Sequence, residues 1–191
     1  MENAPRLAPG MQIGDYHLKE LISEGSATRT WYAEQISVRR EVIVDSLRSA
    51  ILLNDSVREA FLEDVRAKAR VDHPLIGSVF EAVKLEDVCF YARERLAGET
   101  LERYVERGDK LPPAKVVHIL KQIAEANLYL ERNNIGSIAL GPHQIYIGDK
   151  HLTRLVNMAI GEQRDHAISV EDKVMLGRIF KEITDRREPG A

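Results

Sequence analysis

The sequence predicts an α+β fold built from two sub-domains. Five short β-rich runs and one helical stretch fill the first half. The second half is mostly helical in pattern. With 44% hydrophobic and 30% charged residues in 191, the composition is that of a chain able to bury a core.

The elements follow in order. Residues 1–15 are rich in Pro and Gly and read as a flexible leader without the apolar core of a signal peptide. Tyr16–Ile22, Thr30–Gln35 and Val42–Leu47 read as strands, with Gly25 and Ser26 marking the first turn. A helix is expected over Ser56–Val71, because Val57, Phe61, Val65 and Ala69 recur every four residues. His73-Pro74 stops it, since a residue before proline avoids helical backbone. Strands are expected again at Ser78–Lys84 and Val88–Arg93.

Ala97-Gly98 then reads as a hinge and Thr100–Glu106 as a short helix. Pro112-Pro113 opens a long helix whose stripe is Val116, Leu120, Ile123, Ala126 or Asn127, and Leu130. Two β-like pieces, Gln144–Ile147 and Leu152–Val156, flank a Gly148-Asp149 turn. A last helix spans Val170–Thr184, with Val174, Gly177, Phe180 and Ile183 on one side.

Several function classes are set aside by composition. The net charge of -3 is too mild to argue for nucleic acid, and the Arg39-Arg40 and Arg186-Arg187 pairs read as solvated surface. One cysteine, Cys89, forms no internal disulfide, and its apolar neighbours make it a small buried hydrophobe. The histidines lack ligand spacing, so no metal site is expected. No apolar run reaches the ~20 residues of a membrane span.

Local signatures converge on one family. Ile22–Ala33 resembles a glycine-rich loop and its following strand. Val42–Leu47 resembles the strand written Val-Ala-Ile-Lys, and Val71-Asp-His73-Pro74 a helix end written Leu-x-His-Pro. Tyr91–Leu101 resembles a hinge, Ile123–Leu130 the helix before a catalytic loop, Ile135–Ile147 that loop, and Asp172–Gly177 the start of a central helix. Together, in this order, they resemble the eukaryotic-type Ser/Thr protein kinases also found in bacteria, from about Tyr16 to Thr184. The resemblance implies a kinase-like two-lobed fold. Residues 16–96 would form an N-lobe with a five-stranded antiparallel sheet and one main helix. Residues 97–185 would form a mostly helical, shortened C-lobe, followed by a tail over 186–191.

The same resemblance marks what the chain lacks. The three glycine positions of the loop hold Ser23, Gly25 and Thr28, which weakens contact with phosphates without abolishing it. The lysine position holds Asp45, an acid that repels phosphate oxygens. The helix glutamate aligns with Asp64, or with Glu63 if the register slips. Two acids ~4 Å apart repel by about 4 kcal/mol at an effective dielectric near 20. Either the helix stands off or one acid takes a proton. Asp45, set in an apolar strand, needs a partner or a wet cleft.

The base position is Ala139, which accepts no proton, and the loop lysine is Gly141. Gln144 stands at the asparagine that binds metal, and Asn157-Met158-Ala159 stands at Asp-Phe-Gly. His143 is read as outward-facing rather than as a substitute base. The stretch from Gly161 to Val170 is too short for a substrate-docking activation segment. Asp172, which in the family braces the catalytic loop, is retained.

The implied function is a catalytically inactive pseudokinase, a protein-interaction or regulatory module in signalling. No cofactor is expected beyond weak ATP binding. The alternatives are a nucleotide-binding switch without turnover and an atypical ATP-dependent transferase, with Arg29 or Lys19 supplying the missing charge. The partner is expected to be another protein, a second copy, or a downstream segment of a longer chain. The long helix and the last helix would present apolar surface to it. The expected setting is the cytoplasm, for this chain or for a longer, membrane-anchored protein.

Overall fold

The computed structural model describes residues 7–52, 54–85, 87–138, 140–161 and 170–184, with the side chains of 151, 170–173 and 175 left aside. Ala139, the stretch 162–169, Arg186-Arg187 and the expected tail lie outside these residues, as does the Asp172 side chain. The described chain forms two compact units. One runs through Arg70 and includes Ser78–Arg95; the other holds Val71–Gly77 and the residues from Leu96 onward. The expected boundary had left 71–77 with the first unit. In the structure Gly77 N–H donates to the Leu155 carbonyl at 2.8 Å, and the Tyr129 hydroxyl accepts from Asp72 N–H at 3.1 Å.

The first unit is a six-stranded antiparallel sheet with two helices. Its strands are β1 Gln12–Ile13, β2 Tyr16–Glu24, β3 Thr28–Gln35, β4 Arg40–Leu47, β5 Val79–Lys84 and β6 Cys89–Glu94. Their order is β1-β2-β3-β4-β6-β5. The expectation of five strands is corrected by β1, which folds back on β2 through a two-residue turn led by Gly14 at φ 57°. A two-residue strand is too short to show alternation in sequence. Part of the expected leader thus belongs to the core: Leu7 and Ile13 are buried with Tyr16, Leu18, Trp31, Val44 and Phe90.

The helices are α1 Ser49–Leu52 and α2 Asp55–Ala69. Four residues carry no periodicity, so α1 was not foreseen. Asn54 caps α2 by accepting from Val57 N–H. The face of α2 that turns inward carries Leu62 and Val65, which corrects the expected stripe: Ala69 is exposed. Leu62 packs with Leu47, Leu52 and Cys89, while Phe61 meets Tyr91 with ring centroids 5.7 Å apart. The α2 helix therefore lies on the sheet rather than standing off it.

The second unit carries α3 Leu101–Glu106, α4 Pro113–Arg132 and α5 Val170–Ile183, with five short strands. These are β7 Glu99–Thr100, β8 Gly136–Ser137, β9 Ile145–Ile147, β10 Thr153–Leu155 and β11 Ala159–Ile160. They form a β10-β9-β7 sheet and a β11-β8 pair. The buried stripe of α4 is Val116, Ile119, Ile123, Ala126 and Leu130, so Ile119 replaces the expected Leu120, which is exposed. On α5, Leu176, Phe180 and Ile183 are buried, whereas Val174 and Gly177 face outward. Gly98 just before β7 sits at φ 101°, where an added Cβ would come within 2.4 Å of the Ile147 carbonyl oxygen. Only glycine fits that approach.

Candidate functional site

In the first unit, side chains alternate across each strand, so Thr30 of β3, Asp45 of β4 and Tyr91 of β6 share one face. Asp45 is buried. Its Oδ1 accepts from Thr30 Oγ1 at 2.6 Å and its Oδ2 accepts from Arg93 Nε at 2.6 Å. The Tyr91 phenol, also hydrogen-bonded to Asp45, has its pKa raised, first by burial and then by that carboxylate. Lys68 of α2 lies beside the group. Burial lowers its pKa, while attraction to Asp64 and then Asp45 opposes the shift.

Asp45, expected to need a partner or a wet cleft, has two cations near it, Arg93 from the neighbouring strand and Lys68 from the helix. Neither was singled out in sequence. An arginine 48 residues from its partner leaves no local signal, and no motif marks Lys68. The polarity is inverted relative to the strand-lysine and helix-glutamate pair that the sequence resembles. The acid is on the strand, and a lysine is on the helix.

The candidate replacement cations are engaged elsewhere. Lys19 pairs with Glu34 at 2.7 Å. Arg29 lies on the face of β3 opposite Thr30, buried on the Trp31 side, and pairs with Glu24 at 3.0 Å.

The expected phosphate loop is a tight turn. Ser23 and Thr28 are strand residues, with Ser23 opposite Thr30 and Thr28 opposite Leu47. Gly25 N–H donates to the Thr28 carbonyl at 2.8 Å, closing the turn. Arg48 holds the outside: it donates to the Gly25 and Ser26 carbonyls at 3.3 and 3.4 Å and pairs with Glu24 at 3.3 Å. An amide engaged inside the turn is not presented to a ligand.

In the second unit, Gln144 and Asn157 are turned onto their own backbone. Gln144 Oε1 accepts from Gly141 N–H at 2.7 Å. The buried Asn157 accepts from Ala159 N–H through Oδ1 at 3.1 Å. Their segments are tied together: Val156 N–H donates to the Gln144 carbonyl, and Ser137 of β8 pairs with Ala159 of β11. The His143 ring lies over Gly141, where a Cβ would come within 2.7 Å of it. Among the described residues no group of three or more His, Cys, Asp or Glu side chains could hold a metal ion.

Comparison with known proteins places this framework. The chain is 30% identical over 146 residues to the serine/threonine-protein kinase ATG1a of Arabidopsis thaliana, covering 76% of this chain and 23% of that protein. The chain is a Ser/Thr protein kinase homologue. It is also 24% identical over 166 residues to the serine/threonine-protein kinase PrkC of Bacillus subtilis, covering 87% of this chain and 26% of PrkC. To PknA of Corynebacterium glutamicum it is 22% identical over 153 residues, or 78% of this chain and 33% of PknA. The kinase homologue thus spans a quarter to a third of the length of these relatives. No family model matches it. Among the described residues no helix is long and apolar enough to cross a membrane.

Proposed function

We propose that this kinase homologue is a pseudokinase: a non-catalytic module that acts in signalling through protein contacts. One observation carries the reading. The carboxylate at the phosphate-lysine position is buried and hydrogen-bonded by Thr30 and Arg93. A lysine there holds nucleotide phosphates for in-line transfer; a paired carboxylate offers them no cation. The closed turn at Gly25 and the self-capped Gln144 and Asn157 support the reading, because each engages a group that phosphate or Mg²⁺ would need. Ala139 adds the loss of a proton acceptor. No cofactor and no metal is part of this function.

Thermal-shift titration with ATP, alone and with Mg²⁺ or Mn²⁺, tests the proposal, run beside assays for phosphate, ADP and AMP release. The expected outcome is no shift and no product. A metal-dependent shift without product would replace the proposal with a nucleotide-binding switch. The half-buried Lys68, a cation beside the acid pair, is the observation that favours that second reading. Turnover abolished by Asn157→Ala would overturn both.

A further inference from the structure

The α4 helix has two apolar stripes, and only one of them is covered. The second runs along Val117, Leu120, Ala124 and Leu128, spaced three, four and four residues apart, the interval that keeps side chains on one seam. Val117, Leu120 and Leu128 expose 49%, 38% and 41% of their surface, and Ala124 is exposed as well. A seam of three large aliphatic residues along about 16 Å of helix is more than scattered surface hydrophobicity requires.

We propose that a second copy of this chain covers the seam, with the two α4 helices packed antiparallel. Charge placement points to a copy rather than to a foreign helix. One flank of the seam carries Lys121 and Glu125, both exposed. Neither has an ion-pair partner among the described residues. In an antiparallel pair each flank faces its own mate. A single register then sets Val117 against Leu128 of the second copy, Leu120 against Ala124, and Lys121 against Glu125. The two-fold axis repeats every one of these contacts. The small Ala124 lets the helices approach at the centre. A parallel pair would instead turn the Lys121–Glu125 flank of one copy toward the opposite flank of the other, and this charge pairing would not form. The seam is short, so the dimer is weak and concentration-dependent.

The inference deepens the reading of the chain as an interaction module. It is independent of the nucleotide test, since mass is read here and ligand binding there. Sedimentation velocity on the 191-residue chain from about 1 to 200 μM should show a monomer–dimer equilibrium in the micromolar range. Leu120→Glu, with unchanged circular dichroism and melting, should leave a monomer throughout. Lys121→Glu should weaken the dimer at least tenfold, and Lys121→Glu with Glu125→Lys should restore it. A monomer at all concentrations overturns the proposal and leaves the seam to a foreign protein or to a further segment of a longer chain. A dimer that survives Leu120→Glu, or a double exchange that fails to rescue, overturns it equally.

Discussion

Asp45 is held by residues 15 and 48 positions away, whereas Gln144 and Asn157 are held by backbone amides three and two positions away. Both regions hold residues that the sequence resemblance sets at phosphate- or metal-handling positions. In the first unit a buried ion pair ties β4 to β6, with the Lys68 charge of α2 close by. In the second, each side chain caps its own loop. Charges buried together depend on one another, whereas local caps stand alone. The first region should therefore be brittle and the second forgiving.

Removing one partner of the buried pair should give the largest effect. Arg93→Leu leaves the buried Asp45 carboxylate without its hydrogen-bonded cation, with Thr30, Tyr91 and the Lys68 charge still near it. It should cost about 3–5 kcal/mol in urea unfolding. Asp45→Leu with Arg93→Leu should cost much less than the sum of the singles. Additive costs would mean that the network is not coupled, and the comparison would break.

Gly98→Ala comes next. It forces a residue with a Cβ to φ 101° and against the Ile147 carbonyl. A loss of about 1–3 kcal/mol should appear as a lower Tm. Gln144→Ala removes one local cap and should cost about 1 kcal/mol, and the costs of Gln144→Ala and Gly98→Ala should add if the loop caps are independent. Gly25→Ala should change stability by less than about 0.5 kcal/mol. Gly25 has no positive φ, and an added Cβ would meet the Thr28 carbonyl oxygen at an ordinary 3.6 Å. A large loss there would mean that the turn still needs glycine as a phosphate loop does.

Alkaline titration sharpens the picture of the first unit. The Tyr16 and Tyr91 phenols are raised above their ordinary value. Burial is the first cause in both, followed by the hydrogen bond to Glu81 for Tyr16 and the Asp45 charge for Tyr91. A group whose pKa is raised by folding adds stability below its unfolded pKa, and that stability falls as pH rises above it. In an absorbance titration the Tyr16 and Tyr91 phenolate steps should arrive only as circular dichroism is lost. Steps that precede unfolding would show these phenols to be accessible to hydroxide.

What could be read in advance follows the range of the interactions. The β-rich run Thr30–Gln35 and the apolar run Val42–Leu47 are local patterns, and both lie in strands, Thr28–Gln35 and Arg40–Leu47. The oddness of Asp45 was equally visible, since an acid inside an apolar strand demands a partner. Its partner was not, because pairing of β4 with β6 decides it. Leu120 misled the reading of α4 for a related reason. Two apolar stripes overlap on that helix, and periodicity alone does not say which one the fold covers. Gln144 resembled a metal ligand by residue type, while its side chain is turned inward by a hydrogen bond that no motif encodes.

The Asp45–Arg93 pair also bears on how such a sequence drifts. A lysine introduced at position 45 would meet the Arg93 guanidinium in a place with little water, and two cations there repel. An uncharged residue at 93 alone would strand the Asp45 carboxylate. Either single step lowers stability, and only a concerted exchange avoids the valley between them. The ion pair therefore acts as a ratchet. With both residues in place, a lysine at position 45 is separated from the present aspartate by an intermediate that folds poorly.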